Sequence, residues 1–341
     1  MRSDKPLVLI LCGGKSLRLW PLSQYKSKNF LDIFGFSPLE LTIKRFLKIT
    51  DSKNIFLVAN EGERNYLKKI KVIKKENIFF EPKSKNTAAA ILFSLKKLKN
   101  FPNRNLIISP VDHLIKKENA YYKALRSAQN VALGGFICTI GIKPIAANQN
   151  FGYIQINKER NKSIFSVKRF IEKPALLKIK KLILGGNSFY NSGMFIASIK
   201  TFLDEYEKYY SFYRNFDVPL MKEKVSTIYN KITDIPFDKA IMEKTKKARM
   251  IEAKFFWRDF GSWHAIYDIL PKGQHGNVSN GKSFVYNGKN NLVYLDNLKK
   301  KVLVMGLEDV FFIDTKDYTI LSSRSHLDKL KFALKEFKIV K

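Results

Sequence analysis

Apolar residues fall along the first half of the chain in two alternating patterns: short unbroken runs and longer stretches with helical spacing. The runs are Leu7-Val8-Leu9-Ile10-Leu11-Cys12, Asn54-Ile55-Phe56-Leu57-Val58-Ala59, Asn77-Ile78-Phe79-Phe80-Glu81, Leu106-Ile107-Ile108-Ser109-Pro110 and residues 136–142. A run that short and that apolar, bounded by turn residues, predicts a strand buried on both faces. Between the runs, residues 38–49 place Leu39, Ile43, Phe46 and Leu47 on one side of a helix, and residues 64–73 also read as a helix. Strand and helix in alternation predict an α/β fold built on a parallel sheet with crossover helices.

Further on, residues 151–156 and 164–171 alternate as strands do. Residues 187–196 are polar and then apolar, which predicts a loop delivering a strand. Residues 201–213 read as a helix whose aromatics belong to the core, and 237–244 as another helix. Asp259 is expected in a tight aromatic turn, with Gly261 allowing the bend and Ser262 capping the helix that carries Trp263. From Gly276 the pattern changes to five short β-rich runs at near-regular spacing, predicting a small β domain. A closing helix at 325–337 is expected to begin with a Ser cap. The boundary near 270–276 divides the chain into 1–272 and 273–341.

The chain of 341 residues easily buries a core, and no apolar run is long enough to span a bilayer. The N-terminal apolar run leads into Gly-Gly and charge instead of a small-residue cleavage site, so a cytoplasmic location is expected. Cys12 and Cys138 each sit in an apolar run and read as buried small hydrophobes, not as a disulfide or metal pair. The formal net charge of +32 would attract nucleic acid or phosphorylated substrates. The basic residues are spread along the chain, as an AT-rich genome would encode them, so no specific nucleic-acid surface is expected.

Candidate chemistry gathers after the predicted strands. Gly13-Gly14 can take positive φ and let a ligand approach the amides. Lys15, Arg18, Lys26 and Lys28 follow within one loop and suit a polyphosphate. The loop lacks the Gly-Lys-Ser/Thr of a P-loop and the spacing of the dinucleotide fingerprint. Asn86 or Thr87 can cap the helix begun by Ala88-Ala89-Ala90, putting a helix N-terminus at the ligand-binding edge of an α/β sheet. Asp112 stands just beyond a strand, and Asp259 in its aromatic turn is a good partner for it on one Mg²⁺, which takes one or two carboxylates with phosphates and water. Glu172-Lys173-Pro174 usually means a solvated turn, but near a phosphate the pair could hold a hydroxyl and a phosphate of a sugar phosphate.

Together these stretches resemble the bacterial mannose-1-phosphate guanylyltransferases of the sugar nucleotidyltransferase superfamily. The resemblance is carried by Gly13-Gly14, Arg18-Leu19-Trp20-Pro21-Leu22-Ser23, Lys28 with Phe30-Leu31, Glu81-Pro82, Asn86-Thr87-Ala88, Asp112-His113, Gly152-Tyr153-Ile154, Glu172-Lys173-Pro174, Asn191-Ser192-Gly193-Met194-Phe195, Met242-Glu243-Lys244 and Asp259-Phe260-Gly261-Ser262-Trp263, in the family's order. It implies a Rossmann-like nucleotidyltransferase domain with a mixed, mostly parallel sheet, and a short β-helix-like C-terminal domain. It implies transfer of GMP from GTP to mannose 1-phosphate with Mg²⁺, and a homodimer. Gly13, Gly14, Lys15 and Arg18 would hold the triphosphate, with Asn86 and Ser109 on the nucleoside side. Lys28 would stabilise the α-phosphate, Asp112 and Asp259 would hold the metal, and Gly152, Glu172, Lys173 and Asn191 would bind the sugar phosphate.

The chain departs from the family pattern at Ser16 (a third glycine), Gln24 (an arginine), Ser27 and Asn29 (proline and glutamine around the lysine) and Lys85 (an arginine). These leave open another base or another sugar 1-phosphate, such as a heptose. A non-catalytic sugar-nucleotide-binding homologue and a basic nucleic-acid-binding protein are the competing expectations. The family's bifunctional members carry an isomerase domain, and this chain is expected to lack the room for one.

Overall fold

The strand β1 (Leu7–Leu11) forms where the first apolar run predicts it, in a computed structural model that describes residues 5–13, 17–35, 37–157, 163–217 and 222–339. Leu7 through Ile10 are all buried, so both faces of β1 are covered. The chain continues through β2 (Ile55–Asn60), β3 (Ile78–Glu81), β4 (Asn105–Pro110), β5 (His113–Lys116), β6 (Ile137–Ile142), β7 (Tyr153–Ile156), β8 (Ile164–Ile171), β9 (Ser188–Ser198) and β10 (Ala248–Glu252). Nine of these make one sheet in the order β3-β2-β1-β4-β9-β6-β10-β8-β7, with β7 also paired to β9.

β1 is parallel to β2 and β4, β2 to β3, and β6 to β10, whereas β9 runs antiparallel to β4 and β6. The carboxyl ends of β1 to β4, β6 and β10 therefore share one edge, and the start of β9 joins them there. Ligands of open α/β sheets bind at such an edge. Helices Asn86–Lys97 and Ile199–Tyr209 pack on one face through Ile91, Leu95, Phe202 and Tyr206, in one cluster with Leu7 and Leu9.

The chain clusters into two compact units, Met1–Gly13 with Thr42–Trp257, and Gly14–Leu41 with Arg258–Lys341. The strand β11 (Phe256–Asp259) crosses from one to the other along the chain. The second unit carries β12 (Val278–Ser279), β13 (Lys282–Tyr286), β14 (Leu292–Leu295), β15 (Lys301–Met305), β16 (Val310–Asp314) and β17 (Thr319–Ser323). β12, β14 and β16 pair in parallel, as do β13 and β15, so alternate strands stack as in a short β-helix. The five β-rich runs read from the sequence are all strands.

Some sequence expectations are corrected. Leu47 is exposed, although Leu39, Ile43 and Phe46 are buried as their spacing requires. The helix expected at 64–73 covers only Arg64–Leu67. The polar residues 188–193 are not a loop but the first half of the 11-residue β9. Asp259 ends β11 instead of lying in a turn. The closing helix begins as a 3-10 turn at Leu327–Lys329 and continues as Leu330–Glu336, with no side-chain cap. Ser262 does cap Trp263–Ile269, accepting from the Ala265 N–H. Both cysteines are buried and outside any disulfide; burial raises both thiols, Cys138 to about 12.

Candidate active site

Gly13 and Asp112 each follow by two residues the paired ends of β1 and β4, where Leu11 stands opposite Pro110, so both lie at the same sheet edge. The Asp112 charge is felt at the Cys12 thiol, consistent with that placement. Asp112 is buried, and the backbone on both sides of it is pinned from helix Pro38–Leu47. Thr42 Oγ1 donates to the Val111 carbonyl at 2.8 Å and the buried Arg45 Nη2 to the His113 carbonyl at 2.8 Å. Neither Thr42 nor Arg45 is singled out by the sequence, although an arginine amid an apolar helix face is a signal in itself. Gly14 and Lys15, like Ser16, lie outside the described residues.

The other nucleotide-side assignments divide. Asn86 sits at the first position of its helix with φ +63°, and its Oδ1 accepts from the Thr87 N–H at 2.9 Å. Thr87 does not cap that helix; its hydroxyl accepts from the Phe237 N–H, and the Ala88 N–H donates to the Ile235 carbonyl. The helix N-terminus is therefore partly satisfied by the chain itself. Ser109 is fully buried in β4, with its hydroxyl donating to the Pro110 carbonyl. Glu81, at the end of β3, is buried and accepts from the Tyr229 hydroxyl at 2.9 Å; burial raises its carboxyl to about 8.

Glu172, Lys173, Gly152 and Asn191 come together at the same edge. The Asn191 N–H donates to the Gly152 carbonyl at 2.8 Å. A Cβ on Gly152 would stand 2.6 Å from Glu172 Oε2 and 3.5 Å from Asn191 Cβ, so only glycine leaves that carboxylate its place. Lys173 Nζ lies 3.0 Å from Glu172 Oε1 and is largely exposed, while the Glu172 side chain is largely buried. Lys173 takes φ +46°, a left-handed conformation that costs a residue with Cβ about 1–2 kcal/mol. Two residues given no site role by the sequence reading support this group. Asp238 Oδ1 accepts from Asn191 Nδ2 and Glu243 Oε1 accepts from the Glu172 N–H, both at 2.8 Å. Burial, then the Glu172 and Glu243 charges, raise Asp238 to about 7, partly opposed by Lys173.

Ring contacts connect this group with the Asp112 turn. Trp257 meets His113 edge-on at 5.3 Å and Phe151 at 5.4 Å, and Phe151 meets Tyr190 at 5.1 Å. Aromatic walls around a few convergent polar groups suit a small polar ligand.

The second unit holds Arg18, Lys28 and Asp259. Lys28 opens a 3-10 turn, Lys28–Phe30, and is half-buried. Arg18 Nη2 lies 3.7 Å from Asp259 Oδ2. A Cβ on Gly261 would stand 2.8 Å from the same oxygen, so glycine there makes room for the carboxylate. Gln24, at one of the departures from the family pattern, accepts from Trp20 Nε1 at 3.0 Å, and Trp263 Nε1 donates to the Trp20 carbonyl. Among the described residues, no three His, Cys, Asp or Glu side chains cluster as metal ligands, and no helix is long and apolar enough to cross a membrane.

Glycine, carboxylate and amide groups thus gather along the carboxyl edge of a mixed sheet, the edge at which ligands of open α/β sheets bind. The chain belongs to the nucleotidyl transferase family, whose model matches residues 7–275. It is 30% identical to mannose-1-phosphate guanylyltransferase 2 of Escherichia coli O157:H7, over 99% of this chain and 74% of that protein. A solved structure of mannose-6-phosphate isomerase from Helicobacter pylori is 31% identical, with TM-score 0.61, over 74% of this chain and all of that one. The crystal structure named mannose-1-phosphate geranyltransferase, from Thermus thermophilus, shares the fold with TM-score 0.87 at 23% identity, covering 98% of this chain and 99% of that one.

Proposed function

We propose that the protein transfers GMP from GTP to mannose 1-phosphate, giving GDP-mannose and pyrophosphate. The observation that carries this reading is the Glu172–Lys173–Asn191 group at the same sheet edge as Gly13 and Asp112, in a chain related along nearly its whole length to a mannose-1-phosphate guanylyltransferase. Lys173 supplies an exposed ammonium for the sugar's phosphate. Glu172 and Asn191 supply a hydroxyl acceptor and an amide donor for the sugar. A phosphate oxygen of mannose 1-phosphate attacks the α-phosphorus of GTP. A P–O bond forms there as the bond to the pyrophosphate oxygen breaks. The nucleophile is already an anion, so no strong general base is required, and catalysis is positioning and charge neutralisation.

The Gly13 amide, Arg18 and Lys28 are assigned to the triphosphate, with Lys28 at the α-phosphate. Asp112 and Asp259 are assigned to Mg²⁺. Two carboxylates suit that ion, and Gly261 leaves the Asp259 carboxylate room. When bound, Mg²⁺ would neutralise phosphate charge. A cytoplasmic homodimer completes the reading.

The test is pyrophosphate release from a panel of nucleoside triphosphates and sugar 1-phosphates, heptose included, with and without EDTA. GTP with mannose 1-phosphate is expected to be the best pair, and EDTA to abolish release. Preference for another pair would move the substrate assignment, and no release with any pair would end the enzymatic reading.

A further inference from the structure

One short turn holds both halves of the sugar-phosphate group. The π-helical turn Asp238–Met242 is anchored by the buried Ala240, Ile241 and Met242, and by Phe237, whose ring packs on Phe195 at 4.8 Å. A single-turn π-helix of this kind often marks a functional site. Asp238 begins the turn and Glu243 ends it, and the Glu243 N–H donates to the Asp238 carbonyl at 2.9 Å. Asp238 holds the side chain of Asn191 on β9, and Glu243 holds the backbone of Glu172 just past β8.

The hydrogen bonds of Asn191 fix which way its amide faces. Oδ1 accepts from Thr139 Oγ1 and from the Gly193 N–H, each at 3.1 Å, which uses both lone pairs. Nδ2 gives one hydrogen to Asp238. The second Nδ2 hydrogen is left as the amide's donor to a ligand. Turning the amide over would set its NH2 against the Gly193 N–H. Glu243 acts on the neighbouring group: by accepting from the Glu172 N–H it holds the backbone from which Lys173 departs at φ +46°.

We propose that Asp238 and Glu243 are positioning residues for the sugar-phosphate side of the site, Asp238 orienting the Asn191 amide and Glu243 fixing the Glu172–Lys173 backbone. This rests on the proposed sugar 1-phosphate reading. Their action is as hydrogen-bond acceptors, which the side-chain oxygen of the corresponding amide can also supply.

The experiment measures KM for mannose 1-phosphate and for GTP separately, in Asp238→Ala, Glu243→Ala, Asp238→Asn, Glu243→Gln and Asn191→Ala, with the thermal midpoint of each. Both alanine variants at 238 and 243 are expected to raise KM for the sugar phosphate about tenfold, as loss of a charge-assisted hydrogen bond does. KM for GTP should stay within about twofold, and Asp238→Asn and Glu243→Gln should lie near wild type. Equal shifts in both KM values, a lowered midpoint with unchanged KM, or amide variants as impaired as the alanines would overturn the proposal. If Asn191→Ala raises the sugar-phosphate KM and Asp238→Ala does not, positioning by Asp238 fails while the site reading stands. If Asn191→Ala itself has no effect, the reading of that side fails and the proposal falls with it.

Discussion

The two groups proposed to hold the sugar phosphate and the nucleotide are built differently. Asn191, Glu172 and Gly152 sit on or beside strands of the main sheet, and hydrogen bonds of 2.8–3.1 Å fix their orientation. Arg18 and Asp259 face each other across 3.7 Å, partly in water. A partly exposed ion pair at that distance contributes about 0–1 kcal/mol. The first arrangement suits recognition of a neutral ring by fixed geometry. The second suits a highly charged ligand that supplies its own attraction.

Variants can break or sharpen that contrast. The largest effect is expected on the nucleotide side: Lys28→Ala and Asp259→Asn should each lower turnover at least about a hundredfold, as loss of a transition-state charge contact does. Near-normal rates under saturating substrate would remove those assignments. Lys173→Ala should act mainly through binding, raising KM for the sugar phosphate about thirtyfold with a smaller change in kcat. A fall in kcat alone would move Lys173 from ground-state binding to the transition state. Gly152→Ala should raise the same KM about fivefold, because its methyl group would displace Glu172 Oε2 from 2.6 Å, and should leave KM for GTP unchanged. Equal effects on both substrates would show that the sheet edge, not the sugar side, had been disturbed.

The smallest effect is on stability. The Glu81 carboxyl is raised to about 8 by burial, so the folded state binds a proton that the unfolded state releases near the ordinary carboxylate range. Its contribution is fully present below that range and is lost as pH rises through about 8. Glu81→Gln should therefore stabilise the protein at pH 9 relative to wild type and change little at pH 4, by thermal melting across that range. A constant difference at all pH values would show that Glu81 stays in one protonation state.

Much of the fold was legible because burial on both faces demands unbroken apolar runs. β1, β2, β3, β4 and β6 each answer such a run, and Ser262 caps the helix its position foretold. The stretch 188–193 was misread because its polar residues look solvated in sequence. In the fold, Ser192 Oγ accepts from the Met194 N–H while Thr139, Gly152 and Asp238 satisfy Asn191, so the stretch can be a buried strand. Candidate site residues stood out in the sequence only where several chemical residue types stood close together, as in Glu172-Lys173, and the structure brings those with Gly152 and Asn191 to one edge. Asp238, Thr42 and Arg45 escaped notice, and Glu243 was given no role, because each serves a backbone or side chain some fifty to seventy residues away.

By itself, then, the sequence determined which segments leave water, since hydrophobic spacing is a local property of the chain. It also determined which residues carry charge or can accept a ligand near them. Only the tertiary structure decided which of those residues share an edge and which way each amide and carboxylate faces, because hydrogen-bond partners are chosen by strand order and register, which no single segment encodes.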